Sequence, residues 1–491
     1  MIARTDIPVE VKNIADTLEA AGFEAYMVGG CVRDLLIGKV PKDWDLTTNA
    51  TPPQIQALFG ADETFCNNDY GTVGVKCEEA IDSLKVVEIT PYRAEGVYSD
   101  SRRPDTVTFG VSLAEDLERR DFTVNAIAYR VKTAEIVDLF DGQVDIRKKR
   151  LATVGEASER FEEDALRMMR AVRLAAELNF AISTDTMAAI LQHNELLLNI
   201  SVERVRDEFC RIIASPVPMQ GIVLLERLGL IAHILPEIKA SVGCEQGGIH
   251  AYDVYEHLLR TCQAAADKGF SLEMRLAALF HDIGKPASRR EGGKNKRYTF
   301  FGHEVIGAKM TKAIMKRWKM SSETAVKVES LVRWHMFFSD PDEITLSAVR
   351  RTIVRIGQEN IEDLLNLRVC DRIGTGRPKE QPFRFRKYKA MVDEALRDPI
   401  SVKMLKTNGD RIMAQTSEKP GRKLGYILQA LLEEVLEDPS KNGQEYLDER
   451  VKSLLLLDIV DLEALADAGR KRQEEEEAAE LKAIARVHNV G

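Results

Sequence analysis

Strand-forming patterning stops at Arg150, and this change limits the architecture more than any other feature of the sequence. From about residue 8 to 150, short helical stretches alternate with β-rich runs: Ala25-Tyr26-Met27-Val28, Gly74-Val75-Lys76 and Val86-Val87-Glu88-Ile89. Beyond Arg150, apolar residues recur every three to four positions through Ala165 to Leu178, Met187 to Leu198, Val202 to Ala214 and Ile222 to Leu230. The expected fold class is α+β: a small N-terminal head with a mixed β-sheet, then a chain that is helical throughout. With 491 residues the chain exceeds one ordinary core. Pro236, the Gly247-Gly248 pair, Gly292-Gly293, Pro420-Gly421 and Pro439 punctuate the helical part. The expected divisions are 1–150 (head), 151–238 (neck and body), 239–380 (a second unit), 381–463 (C-terminal helices) and 464–491 (a charged tail).

Composition excludes several classes. No run of about 18 apolar residues offers a membrane span, and the start, Met-Ile-Ala-Arg-Thr-Asp, has no apolar signal core. The seven cysteines are scattered without Cys-x-x-Cys pairing, which argues against a disulfide framework and a thiolate zinc site. A reducing, cytoplasmic setting is expected. The net charge of −9 is unlike that of a nucleic-acid binder. Local positive stretches nevertheless occur at Arg147-Lys148-Lys149-Arg150, Arg102-Arg103 and Arg384-Phe385-Arg386-Lys387-Tyr388-Lys389, the last with aromatics interleaved among cations. Each alone reads equally as a solvated surface.

The most informative stretch is Val28-Gly29-Gly30-Cys31-Val32-Arg33-Asp34, followed by Lys42-Asp43-Trp44-Asp45-Leu46-Thr47. A strand that runs through Gly29-Gly30 into a helix lets backbone N–H groups approach a phosphate. Asp43 and Asp45 are two apart, so on a strand both carboxylates face one side and suit shared Mg²⁺ ions. Such ions would activate a ribose 3′-hydroxyl and neutralise a leaving pyrophosphate. Read singly, Gly-Gly is an ordinary turn and Asp-x-Asp an ordinary solvated loop; their coincidence in one segment favours a site. Glu88 interrupts an apolar β-run, faces the same side as Val86 and Thr90, and is the candidate third carboxylate, the alternative being an edge-strand surface residue.

The run Val28 to Ala50 resembles the signature of the class II tRNA nucleotidyltransferase and bacterial poly(A) polymerase family, within the DNA polymerase β-like superfamily. Further blocks follow in order: Glu88 to Arg93, Asp116 to Ala126, and Arg160 to Ala171. The resemblance covers about the first 235 residues. It implies template-independent extension of a tRNA 3′ end with CCA, or with its A, from CTP and ATP, with Mg²⁺ held by Asp43 and Asp45 and with Glu88 as a further catalytic carboxylate. It implies a nucleotide pocket of Gly29, Gly30, Arg33, Arg120, Asp121 and Asn125. Arg119, Arg120 and Asp121 read as preceding an apolar helix, with Asp121 capping or orienting the arginines. Glu163, Asp164 and Arg167 read as one face of a helix starting near Glu159. On pattern alone they are a salt-bridge cluster; the resemblance implies that Asp164 and Arg167 read the base. Arg170 and Arg173 continue that helix toward triphosphate or RNA. The segment 95–104, with Tyr98, Asp100, Arg102, Arg103 and Pro104, resembles a flexible loop associated with adenine addition. Pro91 stands where the family often has Thr.

Five of the eight histidines fall between residues 250 and 335. Tyr255-Glu256-His257 reads as preceding a helix, His281-Asp282 as ending one, and His303, His335 and Asp371 follow. Imidazoles and carboxylates in this mixture suit one or two divalent metals that activate water against a phosphate ester. Residues 249 to 375 resemble the HD phosphohydrolase superfamily, which implies metal binding by His257, His281, Asp282 and Asp371, with His303 and His335 as auxiliary ligands and the metal's identity open. Lys285 reads either as a phosphate-stabilising cation or as an exposed helix-end lysine. Leu424-Gly425-Tyr426-Ile427, with Lys419, Arg422 and Lys423, resembles the family's C-terminal block and implies a grip on the tRNA elbow. tRNA is the expected partner, with no membrane and no obligate protein partner. The alternatives are a poly(A) polymerase, an HD phosphohydrolase whose head is an RNA-binding relic, and a non-catalytic RNA-binding scaffold.

Overall fold

The computed structural model describes residues 2–66, 71–77, 84–96, 106–247, 251–291, 298–337, 344–377, 379–416 and 418–467. The segment 97–105 and the tail from 468 onward, both singled out above, lie outside the described residues. Two compact units divide the chain, Met1–Pro236 and Glu237–Gly491.

The first unit opens on strands β1 (Ala25–Val28), β2 (Asp45–Thr48), β3 (Thr64–Cys66), β4 (Val73–Lys76), β5 (Val86–Pro91), β6 (Arg93–Glu95), β7 (Val107–Phe109), β8 (Ile127–Arg130) and β9 (Glu135–Asp138). Seven of them form one sheet in the order β3-β4-β5-β2-β1-β8-β9, while β6 and β7 pair separately. β2 and β5 are parallel; the other pairs in this sheet are antiparallel. Alternation along β1 sends Ala25 and Met27 into one apolar cluster, with Leu46, Val87 and Ile89, and sends Tyr26 and Val28 into a second, with Tyr92 and Leu117. Burying a side chain such as Met27 or Ile89 completely is worth roughly 1.5–3 kcal/mol. The sheet is thus covered on both faces, and polar residues on a buried face need a reason.

Local chemistry starts the flanking helices. Thr51 and Gln54 form a capping box ahead of Pro52–Phe59, with proline in its first turn. Ser112 and Glu115 do the same for Leu113–Glu118. After the head come helices Ala157–Glu163, Leu166–Leu178, Thr184–His193, Val202–Ala214 and Pro218–Arg227.

The second unit is built on helices Val254–Asp267, Leu272–Phe280, His303–Arg317, Ser322–Trp334, Leu346–Ile356 and Ile361–Gly374. Asp253, Ser271, Ser321 and Thr345 cap four of them through side-chain bonds to backbone N–H groups. Phe383–Ala395, Arg422–Glu437 and Gln444–Leu455 continue the unit. The interleaved aromatics of the 384–389 stretch are not a surface feature: Phe385 and Tyr388, three apart on one helix, are both core residues. Hydrophobic burial, rather than base stacking, accounts for their spacing.

Candidate functional site

In the first unit, β2 begins at Asp45, directly opposite Glu88 across the parallel β2/β5 pair. Residues opposite one another in such a pair share a face, which brings the two carboxylates together. β5 lies between β4 and β2, so Glu88 is not an edge residue. Asp43 lies in the bend before the strand, exposed, while Trp44 between them is buried in the core. The expectation of both aspartates on a strand therefore holds for Asp45 alone. Burial, then Glu88 and Asp43, push the Asp45 carboxyl up to about 6 against the opposing pull of Arg120. This surplus of negative charge fits a site for divalent cations.

Gly29 has φ of 81°, and a Cβ there would lie 3.5 Å from an Arg120 nitrogen and 4.0 Å from the Asp45 carboxylate. Glycine thus supplies both the left-handed turn and the open approach to this pair. Gly30 starts the helix Gly30–Leu36.

Arg119 and Arg120 follow the helix Leu113–Glu118 rather than preceding an apolar one. Asp121 does not orient them. Asp116, fully buried, accepts from Arg119 at 2.6 Å, from Arg120 at 3.0 Å and from the Thr47 hydroxyl at 3.2 Å. Burial pushes its carboxyl up, but Arg120 and Arg119 together outweigh it and hold it below the usual range. Asp121 instead accepts from Arg170 at 2.5 Å and from Asn125 at 3.1 Å. Asn125 in turn accepts from Arg33 at 2.6 Å. Arg33, Asn125, Asp121 and Arg170 thus form one connected chain from the glycine turn to the helix Leu166–Leu178.

The expected single helix through Glu163, Asp164 and Arg167 is broken. Ala157–Glu163 ends at Asp164, whose backbone is extended (φ −140°, ψ 101°), and a new helix starts at Leu166. Arg167 pairs with Glu163 and donates to the Arg119 carbonyl at 3.1 Å. Asp164 pairs with Arg204 at 2.7 Å. Arg173, buried, pairs with Glu208 at 2.6 Å. Arg204 and Glu208 carry no signal in the sequence, because their partners Asp164 and Arg173 lie far away along the chain, and Asp116 carries none because its pairs three and four residues on look like ordinary helix-surface pairs.

In the second unit all six expected metal ligands converge. His257 lies within the helix Val254–Asp267, not before it, since Asp253 rather than a later residue supplies the cap. Its Nε2 is 3.0 Å from His281 Nε2, 3.1 Å from Asp282 Oδ2 and 3.3 Å from Asp371 Oδ1. The other Asp282 oxygen lies 3.1 Å from His303 Nε2 and 3.4 Å from His335 Nε2. The ligands therefore form two triads, His257–His281–Asp371 and Asp282–His303–His335, with Asp282 touching both. His303 and His335 thus form a triad with Asp282 just as His257 and His281 form one with Asp371.

Nδ1 of His281, His303 and His335 lies 2.7–2.8 Å from the carbonyls of Ala278, Phe300 and Val332. Donation from Nδ1 leaves each Nε2 lone pair facing the cluster, as metal ligation requires. Burial pushes the His257 imidazole down, but Asp282 and Asp371 outweigh it and hold it up at about 9. The two carboxylates gathered beside His257 fit a cationic ligand there. Small residues permit the convergence: a Cβ at Gly284 would meet the His303 carbonyl at 2.2 Å, and one at Gly374 would meet the Thr261 hydroxyl at 2.1 Å. Lys285 is buried, not exposed, and donates to Asp282 Oδ2 and to Gln246 Oε1, each at 2.6 Å. Arg368 donates to Asp371 at 2.6 Å.

Comparison with known proteins agrees with this organisation. The Poly A polymerase head domain family matches residues 25–152, the family described as probable RNA and SrmB-binding site of polymerase A matches 179–242, and the HD domain family matches 254–372. The CCA-adding enzyme of Levilactobacillus brevis is 46% identical over 219 residues, 45% of this chain, and the chain spans about half (53%) of that relative's length. The CCA-adding enzyme of Enterococcus faecalis is 33% identical over 450 residues, covering 90% of this chain and 96% of that protein. The crystal structure of the Bacillus stearothermophilus CCA-adding enzyme in complex with CTP superposes with a TM-score of 0.67 at 28% identity, covering 91% of this chain and 99% of that one. With a relative matched over nearly its whole length, the chain belongs to the CCA-adding enzyme family.

Proposed function

We propose that this chain adds CCA, or its terminal A, to the 3′ end of tRNA, drawing on CTP and ATP without a nucleic-acid template. The observation that carries the reading is the Asp45–Glu88 pair across β2 and β5, with Asp43 just before it and with the Gly29 turn and Arg120 against Asp45. Asp43, Asp45 and Glu88 would hold Mg²⁺, which when bound supplies charge neutralisation at the attacking and departing oxygens. Arg120, kept in place by Asp116, donates to triphosphate oxygens, and the Gly29-Gly30 backbone leaves room for them. Asp164 accepts from the amino group of cytosine or adenine while Arg167 donates to the ring acceptors of the same edge.

Residues 1–150 would act as the catalytic head, 151–238 as neck and body, and 381–463 as the grip on the tRNA elbow, with Lys419 and Arg422 exposed at the start of the helix Arg422–Glu437. The proposed site of action is the cytoplasm, where tRNA substrates would be met; among the described residues no helix is long and apolar enough to cross a membrane. The test is sequencing of tRNA ends after incubation with CTP, ATP and Mg²⁺. Long A tails on unrelated RNA would instead make the chain a poly(A) polymerase, and no addition by the wild type would support an RNA-binding relic.

A second reading concerns residues 239–380. The two histidine triads joined by Asp282 favour a divalent-metal phosphohydrolase acting on phosphomonoesters or 2′,3′-cyclic phosphates at RNA ends. The six ligands would hold the ions, which when bound supply an activated water, and Lys285 would meet the substrate phosphate. Release of phosphate from monoester ends, or opening of the cyclic phosphate to a monoester, lost in Asp282→Asn, is the expected result; absence of both with metal bound would leave this unit a structural metal site.

A further inference from the structure

Asp164 has no helix to hold it. It lies in the extended break between Ala157–Glu163 and Leu166–Leu178, where the Leu166 N–H at 3.0 Å constrains its side chain locally. The remaining restraint comes from 40 residues away: Arg204 Nη2 lies 2.7 Å from Asp164 Oδ2, and Nη1 lies 3.4 Å from Oδ1. Arg204 stands in the first turn of the helix Val202–Ala214, whose next turn carries Glu208, paired with Arg173 at 2.6 Å. This helix is therefore fastened to the Leu166–Leu178 helix by two ion pairs, Arg173–Glu208 and Glu177–Arg211, the latter at 3.2 Å, and uses its first turn to grip Asp164.

We infer that Arg204 is a positioning residue for nucleotide choice, holding the Asp164 carboxylate in one orientation so that it presents an acceptor to the base. The inference rests on the proposed role of Asp164 in reading the base. An ionised carboxylate accepts hydrogen bonds and donates none; cytosine and adenine offer an amino group at the edge in question, whereas uracil and guanine offer a carbonyl oxygen. A carboxylate has about four lone-pair positions, so the Arg204 fork leaves acceptor capacity for the base. Without Arg204, Asp164 gains rotational freedom, and its acceptor no longer stands where it selects an amino group over a carbonyl oxygen.

The test measures single-nucleotide incorporation of CTP and UTP on a tRNA transcript lacking CCA, for the wild type, Arg204→Ala and Arg204→Lys. The expected result for Arg204→Ala is a KM for CTP about 10-fold higher, kcat within about threefold, and CTP-over-UTP preference reduced at least about 10-fold. Arg204→Lys, which keeps the charge but not the fork, restores part of the preference, and it also carries the test if the alanine variant does not fold. Unchanged preference in folded variants, beside a wild type that discriminates, overturns the role of Arg204 alone. A wild type that incorporates nothing, or takes UTP as readily as CTP, removes the reading of Asp164 on which the inference rests.

Discussion

The two sites use overlapping chemistry and opposite construction. The head gathers Asp45 and Glu88 on two paired strands with Asp43 in the bend before the first, and the cation acting on Asp45, Arg120, is itself tied to Asp116. Negative charge is left in excess there, as the rise of the Asp45 carboxyl to about 6 reflects, through burial first and Glu88 second. The histidine centre is deeply buried and internally balanced: three imidazoles lean on backbone carbonyls, Lys285 matches Asp282 and Arg368 matches Asp371. A site short of positive charge suits ions that arrive with a nucleotide. One with its ligands already oriented suits a resident metal.

The contrast predicts separable losses. The largest is for Asp45→Ala, which should lower nucleotide incorporation on the order of 10³-fold or more, with metal at the histidine centre unchanged by elemental analysis. A parallel fall in bound metal would show that the two sites are not independent. Next, Asp282→Asn should weaken metal binding in both triads together, by about 100-fold in titration calorimetry, and leave incorporation intact. Loss from one triad only would break the bridging role of Asp282. Asp116→Asn removes the ionic partner of Arg119 and Arg120; a hydrogen bond to a charged group is worth about 1.5–3 kcal/mol, so the KM for CTP should rise about 10-fold with a smaller change in kcat. The smallest effect is for His335→Ala, which should weaken only the Asp282–His303–His335 triad, by about 10-fold, and lower the bound metal-to-protein ratio.

Legibility in the sequence followed range. β1 and β5 were readable because runs of apolar and β-forming residues are local, and Val28-Gly29-Gly30 marked its own turn. The His281-Asp282 doublet and its partners were readable because imidazoles are scarce here. The helix break at Asp164 was not, since Glu-Asp-Ala-Leu-Arg contains neither glycine nor proline and has good helical spacing. The break falls where Asp164 accepts from the Leu166 N–H two residues on and pairs with Arg204 forty residues on. Asp116 was hidden for a similar reason. It resembles any acidic residue in a first helical turn, and only burial against Thr47, Arg119 and Arg120 sets it apart. Lys285 read equally as surface or site until Gln246 and Asp282 were seen to enclose it.

The measurement that tests the central claim most directly compares wild type with Asp45→Ala on tRNA transcripts ending before, within and after CCA, with CTP, ATP and Mg²⁺, reading each product end by sequencing. The account predicts that the wild type completes the end to CCA and stops, or adds one A to the CC end, while the variant adds nothing detectable. Failure of the wild type to extend any of these ends, or equal extension by the variant, would contradict it.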